Sequence, residues 1–298
     1  MNQPLPFIFP NNVKLTIKRE DLLHPQISGN KFRKLKYNII EAKAQNKKLL
    51  VTFGGAFSNH IAATAAAGKE YGFKTVGIIR GNELKDKISE NPTLNFAQQL
   101  GMQLIFISRE QYRDKNNPVF ISALENELGD FYLVPEGGTN FLAIKGCEEI
   151  LDENDIQFTH ICCSAGTGGT LSGLINYSFP HQKVIGFPAL KGSFLSHDIR
   201  SFVNNDRWEL VENYHFGGYA KINSDLVEFM NDFFERTNIL LDPVYTAKMV
   251  FGVIDLIEKN YFRENSDILL VHTGGLQGIE GMNLKLKHKN LPIIKTGL

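Results

Sequence analysis

At 298 residues the chain is long enough to bury a sizeable core, in one large domain or two smaller ones. Its 43% hydrophobic and 21% charged composition is that of an ordinary globular protein. With 32 basic against 32 acidic residues, no net field draws it to nucleic acid or anionic lipid. The N-terminus carries no basic-then-apolar leader and no apolar run approaches a membrane span, so a cytoplasmic protein with neither a nucleic-acid nor a membrane partner is expected. Of three cysteines, Cys162 and Cys163 are neighbours and Cys147 stands apart, which fits reduced core thiols better than disulfides or a zinc site; no metal is expected.

In chain order, Val13 to Lys18 alternates as a strand does and leads to the turn signal Ser28-Gly29-Asn30. A helix follows, with apolar spacing at Leu35, Ile39, Ile40 and Ala42 and with Ser28 or Asn30 expected as its cap. Lys31 opens that helix, where the positive dipole end disfavours an ammonium. Desolvation there would leave a neutral, nucleophilic amine able to condense with an aldehyde. Taken alone, Lys31, Arg33, Lys34 and Lys36 read more simply as a solvated basic helix face.

Short apolar runs of the buried-strand kind then recur at Leu49–Phe53, Thr75–Ile79, Gln103–Ile107, Phe131–Val134, His160–Cys163, Val184–Phe187 and Ile268–His272. Helical patterns stand between and after them at Ile61–Gly68, Pro92–Leu100, Pro118–Leu128, Leu142–Leu151, Leu171–Ser178, Ser224–Glu235, Thr246–Lys259 and Gly275–Lys287. Alternating strand and helix predicts α/β architecture, a mostly parallel sheet covered on both faces. The polar stretches Asp114–Pro118 and Leu151–Asp155 read as hinges or, more simply, as plain loops.

Ligands of open α/β sheets bind beyond the carboxyl ends of strands, and three loops there carry chemistry. The first is Gly54-Gly55-Ala56-Phe57-Ser58-Asn59-His60, small residues followed by donors at a helix start, where Ser58 can both cap the helix and hold a carboxylate. The second is Ser164-Ala165-Gly166-Thr167-Gly168-Gly169-Thr170, whose convergent N–H groups and following helix make a phosphate cradle. It matches neither the Walker pattern nor Gly-x-Gly-x-x-Gly, and so suits a single phosphate monoester. The third ends Leu269-Leu270-Val271 with His272-Thr273-Gly274-Gly275; His272 reads as a histidine satisfied at a strand end, and Thr273 offers a neutral hydroxyl to a heterocyclic nitrogen. A phosphate cradle, an amine-bearing lysine and neutral hydrogen-bonding loops together suggest pyridoxal phosphate. A phosphate- or nucleotide-binding module without catalysis, using Gly166–Thr170 alone, is the alternative of another class.

These residues also carry a resemblance. Ile17-Lys18-Arg19-Glu20-Asp21, Ser28 to Leu35, Ser58-Asn59-His60, Gly166 to Thr170, Asp242-Pro243-Val244-Tyr245-Thr246-Ala247-Lys248 and His272 to Gly275 together resemble the 1-aminocyclopropane-1-carboxylate deaminase and D-cysteine desulfhydrase family, in family order over nearly the whole chain. The resemblance implies the type II, tryptophan synthase β-like fold of pyridoxal-phosphate enzymes: two mostly parallel sheets with helices on both faces. Residues 1–45 and 151–298 would form a large cofactor-binding domain and residues 46–150 an inserted small α/β domain. It also implies a homodimer.

Carried over, Lys31 would be the Schiff-base lysine and proton carrier, with Tyr245, Tyr219 and Ser58 as further catalytic residues. Asn59 would meet the ring hydroxyl of the cofactor, Gly166, Thr167, Gly168, Gly169 and Thr170 its phosphate, and Thr273 its ring. Ser58, Asn59, His60, Tyr245 and Thr246 would surround a small amino-acid substrate. The resemblance divides at 246 and 273, where the cyclopropane deaminases have Glu and Leu and this chain has threonines, as in the desulfhydrase branch. The expected reaction is therefore α,β-elimination from a small D-amino acid, D-cysteine first, with cyclopropane-carboxylate deamination as the alternative.

Overall fold

The computed structural model describes residues 1–192 and 194–297. Ten strands and ten α-helices lie among them. They are β1 (Asn2–Pro4), β2 (Lys14–Lys18), α1 (Asn30–Ala44), β3 (Leu49–Gly54), α2 (Asn59–Tyr71), β4 (Lys74–Arg80), α3 (Pro92–Gln99), β5 (Gln103–Ile107), α4 (Pro118–Leu128) and β6 (Tyr132–Val134). Then come α5 (Phe141–Glu148), β7 (His160–Ala165), α6 (Gly169–Tyr177), β8 (Lys183–Pro188), α7 (Phe194–Arg200), β9 (Trp208–Leu210), α8 (Ser224–Thr237), α9 (Thr246–Glu258), β10 (Asp267–Val271) and α10 (Gly278–His288).

The strands form two sheets, ordered β1-β2-β10-β7-β8-β9 and β5-β4-β3-β6. Every pairing is parallel except β1 with β2. The elements that the sequence did not announce are β1, β9 and α7. Two are three-residue strands, too short to show alternation, and β1 is an edge strand ending in Pro4, whose ring cannot donate to a ladder. At seven residues, α7 spans less than two turns.

The apolar runs lose their alternation because the inner strands β7, β8 and β10 of the six-stranded sheet are covered on both faces. Ile268 and Leu270 enter a core with α8 and α9, while Leu269 and Val271 enter the opposite core with α6. The same two-residue period sends Cys162 to the first face and Cys163 to the second, so the adjacent thiols point apart; all three cysteines are free and buried. In the four-stranded unit, α2 is buried from His60 to Gly68, its alanines letting it lie close to the strands. A Cβ at Gly68 would stand 2.2 Å from the Thr75 methyl. Helix α5 is wedged between α1 and α6: a Cβ at Gly146 would meet the Arg33 carbonyl of α1 at 2.0 Å, and one at Gly173 of α6 would meet the Cys147 Cβ at 2.5 Å. Parallel strands send all their carboxyl ends to one edge, so the loops after β3, β6, β7 and β10 open on a common cleft between the sheets.

Candidate active site

Lys31 reaches that cleft through a contact only glycine permits. Gly29 has φ +59, and a Cβ there would lie 2.1 Å from the Thr273 carbonyl oxygen. The Asn30 N–H donates to the same oxygen at 3.2 Å, so α1 starts directly on the loop after β10. Neither Ser28 nor Asn30 caps the helix, contrary to the expectation from sequence; Gly29 is its N-cap, and the Asn30 amide instead donates to Thr170 Oγ1 at 2.8 Å. Lys31 is half-buried and lines the cleft with Asn59, Ser164, the Gly166–Thr170 loop, Tyr245 and Thr273. Burial, and next the charge of Lys34, lower its pKa to about 7.

The solvated basic face dissolves on inspection. Arg33 pairs with Glu20 at 2.8 Å and Lys36 with Glu149 at 2.6 Å, but Lys34 is only 2% exposed. Its ammonium donates to the Gly137 carbonyl and Thr139 Oγ1, each at 3.0 Å, with Thr167 Oγ1 at 3.5 Å. No carboxylate lies within 4 Å of it among the described residues. Burial lowers its pKa. A buried cation without a counter-ion costs free energy, and an anion beside it would offset that cost.

The loop after β7 supplies the place for one. Gly168, in left-handed conformation, precedes α6, and no side chain caps that helix, which leaves its first N–H groups to a ligand. Crowding keeps the loop bare: a Cβ at Gly166 would meet the Tyr245 ring at 3.1 Å, and one at Gly169 would meet Thr139 Oγ1 at 2.8 Å and Lys34 Nζ at 3.2 Å. Uncapped donors and an unneutralised buried ammonium fit a phosphate monoester. Lys34 was not among the residues singled out from sequence. Its signal was the three-residue spacing from Lys31, which puts both amines on one helix face.

At the other end of the cleft, Thr273 is 7% exposed and its hydroxyl stands 3.4 Å from Ser164 Oγ. Asp242 is buried beside this wall, but its carboxylate accepts from the N–H groups of Val244 and Tyr245 at 2.9 Å and of Thr246 at 2.7 Å. That cap seats Tyr245 at the N-terminus of α9. The Tyr219 and Tyr245 rings stand edge to face with centroids 6.2 Å apart. Burial first, then Tyr219, push the Tyr245 hydroxyl well above its usual pKa, so it stays protonated and donates. Ser58 caps α2, accepting from Ile61 N at 3.3 Å, and its own proton is left to a ligand. Asn59, the first residue of α2, lines the cleft.

Ser58 and Tyr219 stand outside the lining of this cleft, Tyr219 in an adjoining cavity with Asn59 and Tyr245, and two expected substrate contacts are buried away from it. His60 is 2% exposed, with Nε2 2.8 Å from Thr52 Oγ1 and Nδ1 against Gly138. The rotation of about 100° between successive helical residues carries it into the four-stranded unit, away from Ser58 and Asn59. Thr246 is fully buried beneath the start of α9 and does not line the cleft. His272 is satisfied as expected, its Nε2 2.7 Å from the Leu240 carbonyl and its Nδ1 accepting from Gly274 N.

A family model described as "Pyridoxal-phosphate dependent enzyme" matches residues 3–274. The chain belongs to this family. Its cofactor is pyridoxal phosphate, for which the Lys31 amine, the Lys34 ammonium and the Gly166–Thr170 cradle supply the fitting donors. This pyridoxal-phosphate enzyme is 31% identical over 299 residues to an Arabidopsis thaliana protein named "Bifunctional D-cysteine desulfhydrase/1-aminocyclopropane-1-carboxylate deaminase, mitochondrial", covering 91% of this chain and 74% of that one. It is also 31% identical over 292 residues to a Thermotoga maritima protein provisionally named a 1-aminocyclopropane-1-carboxylate deaminase, covering 91% of each. A crystal structure titled as an ACC deaminase homologue superposes with TM-score 0.83 at 28% identity, over 97% of this chain and 93% of that one. O-ureido-L-serine synthase, at 14% identity and TM-score 0.69, shares the fold.

Proposed function

We propose that this pyridoxal-phosphate enzyme is a lyase that eliminates the thiol from D-cysteine, yielding sulfide, pyruvate and ammonia. The observation that supports this reading is the absence of any acidic side chain from the described lining of the cleft. Asp242, the buried carboxylate nearest Tyr245, is consumed by three backbone N–H groups. The hydroxyls that line the cleft at the ends of β7 and β10 are the neutral groups of Ser164 and Thr273. A carboxylate beside a heterocyclic nitrogen would hold it protonated; hydroxyls leave it less electron-withdrawing, which suffices for expelling a good leaving group such as a β-thiolate.

When bound, the cofactor supplies the electron sink. Lys31 Nζ, with a pKa of about 7, takes the α-proton near neutral pH and can return it. Ser58 Oγ and the N-terminus of α2 hold the substrate carboxylate. The protonated Tyr245 hydroxyl donates toward the departing sulfur, with Tyr219 against it. Hydrolysis of the released enamine completes the pyruvate and ammonia.

Cyclopropane-carboxylate deamination is the second reading, favoured by the name of the Thermotoga relative, while the Arabidopsis name carries both activities. The deciding assay measures sulfide and pyruvate from D- and L-cysteine, and 2-oxobutyrate and ammonia from the cyclopropane amino acid. Turnover of D-cysteine alone supports the proposal. Turnover of the cyclopropane substrate with cysteine inert overturns it. The cytoplasm and a homodimer complete the proposal; light scattering of the purified protein reads the latter.

A further inference from the structure

The segment that carries Tyr219 has a backbone that does not hold its own shape. Phe216 and Ala220 both have φ +52, and Gly217 and Gly218 between them have φ +89 and +116. Left-handed backbone at two non-glycine residues within five positions costs free energy and persists only where surroundings impose it. Tyr219, in the middle, is 37% exposed, so its own packing does not impose it.

Two ammonium groups do. Lys248 Nζ donates to the His215 and Gly218 carbonyls, each at 2.9 Å, and Lys285 Nζ donates to the Ala220 carbonyl at 3.0 Å. Lys248 is 2% exposed. An alkyl side chain would fill its place without the cost of a buried charge, so the carbonyls are the reason for an amine there. Phe216 adds a packing contact to the same helix, its ring edge to face with Phe251 at 5.1 Å.

We infer that Lys248 is a positioning residue for Tyr219, setting the hydroxyl of Tyr219 against Tyr245, with Lys285 as its auxiliary. One turn of α9 explains why this works. Tyr245 is its N-cap and Lys248 stands three residues on, both indexed from the Asp242 carboxylate that accepts from residues 244 to 246. The two tyrosines therefore share one rigid reference, one directly and one through an ammonium. The inference rests on Tyr219 belonging to the reacting site.

The test uses cofactor-loaded Lys248→Met, Lys285→Met, Tyr219→Phe and the Tyr219→Phe/Lys248→Met double variant. Hydrogen exchange followed by mass spectrometry, without substrate, should show residues 215–221 exchanging faster in Lys248→Met and less so in Lys285→Met, with the cofactor absorbance unchanged. Turnover should fall in kcat, about 10–100-fold for Lys248→Met, and Lys248→Met should add nothing in the Tyr219→Phe background. Unchanged exchange over 215–221, or a loss that multiplies onto Tyr219→Phe, overturns the inference. If Tyr219→Phe itself turns over normally, Tyr219 leaves the reacting site and the positioning role falls with it, while the exchange data still decide whether Lys248 holds the segment. Should Lys248→Met fail to fold, Lys285→Met and its double variant with Tyr219→Phe carry the same decision through the Ala220 carbonyl.

Discussion

Gln277 Nε2 donates to Asn59 Oδ1 at 2.8 Å, joining the loop after β10 to the first residue of α2. With its oxygen taken, the Asn59 amide turns Nδ2 to Gly275, where a Cβ would stand 2.4 Å from it, and leaves that nitrogen as its donor for a ligand. The loop after β10 thus sets which end of the Asn59 amide faces the cleft. Gln277→Ala should weaken pyridoxal phosphate binding about tenfold, the worth of one oriented hydrogen bond. Gln277→Glu should be worse, since a carboxylate accepts only and would turn Asn59 round. Absorbance titration of cofactor-free protein measures both; wild-type affinity in both variants would show that Gln277 does not orient Asn59.

The lowered pKa of Lys31 predicts how the protein takes up its cofactor. Lys31 is neutral above about 7 and protonated below it, and only the neutral amine attacks an aldehyde. The rate of covalent capture, followed by visible absorbance, should rise from pH 5.5 and level off between about pH 7 and 8. An ordinary lysine, with its pKa at 10.5, would still be climbing at pH 9. Lys31→Ala should give no species that borohydride fixes to the chain.

Lys34 is predicted to act chiefly on phosphate, with a smaller effect through the Lys31 amine. Lys34→Met should cost about 1.5–3 kcal/mol of pyridoxal phosphate affinity, a loss of about 10- to 150-fold, as for other charge-assisted hydrogen bonds. The same variant should bind pyridoxal, which has no phosphate, nearly as the wild type does. An equal loss for both ligands would place the Lys34 effect in folding or in Lys31, whose pKa also feels its charge.

Two glycines with positive φ but different ψ, −134 at Gly29 and 28 at Gly72, should respond differently to alanine, which enters the second region far more readily than the first. Gly29 and Gly72 have φ +59 and +78, but a Cβ at Gly29 strikes the Thr273 carbonyl whereas one at Gly72 meets nothing within 4 Å. Gly72→Ala should cost about 1 kcal/mol, the price of the conformation. Gly29→Ala should cost about 2–4 kcal/mol and displace Lys31, lowering cofactor binding as well. Urea denaturation of the two variants provides the comparison.

The fold class and the three cleft loops were legible in the chain because they depend on local pattern. Buried parallel strands read as unbroken apolar runs, as at Ile268–Val271, and helix starts bearing small residues read as anion sites, as at Gly166–Thr170. Lys31 was legible from its place at a helix start and from motif order. What the chain alone left undecided was where side chains point after one turn of helix. Lys34 looked like its solvated neighbours, yet α5 and the loop after β6 bury it against the phosphate cradle. His60 and Thr246 stood beside true cleft residues in sequence, but a helix turns each successive side chain by about 100°, and both point into the core. The ties of Gln277 to Asn59 and of Lys248 to the Tyr219 segment span 218 and about 30 residues. No periodicity encodes such pairings: the docking of one sheet's carboxyl edge against the other's makes the first, and the packing of α9 against the segment after β9 makes the second.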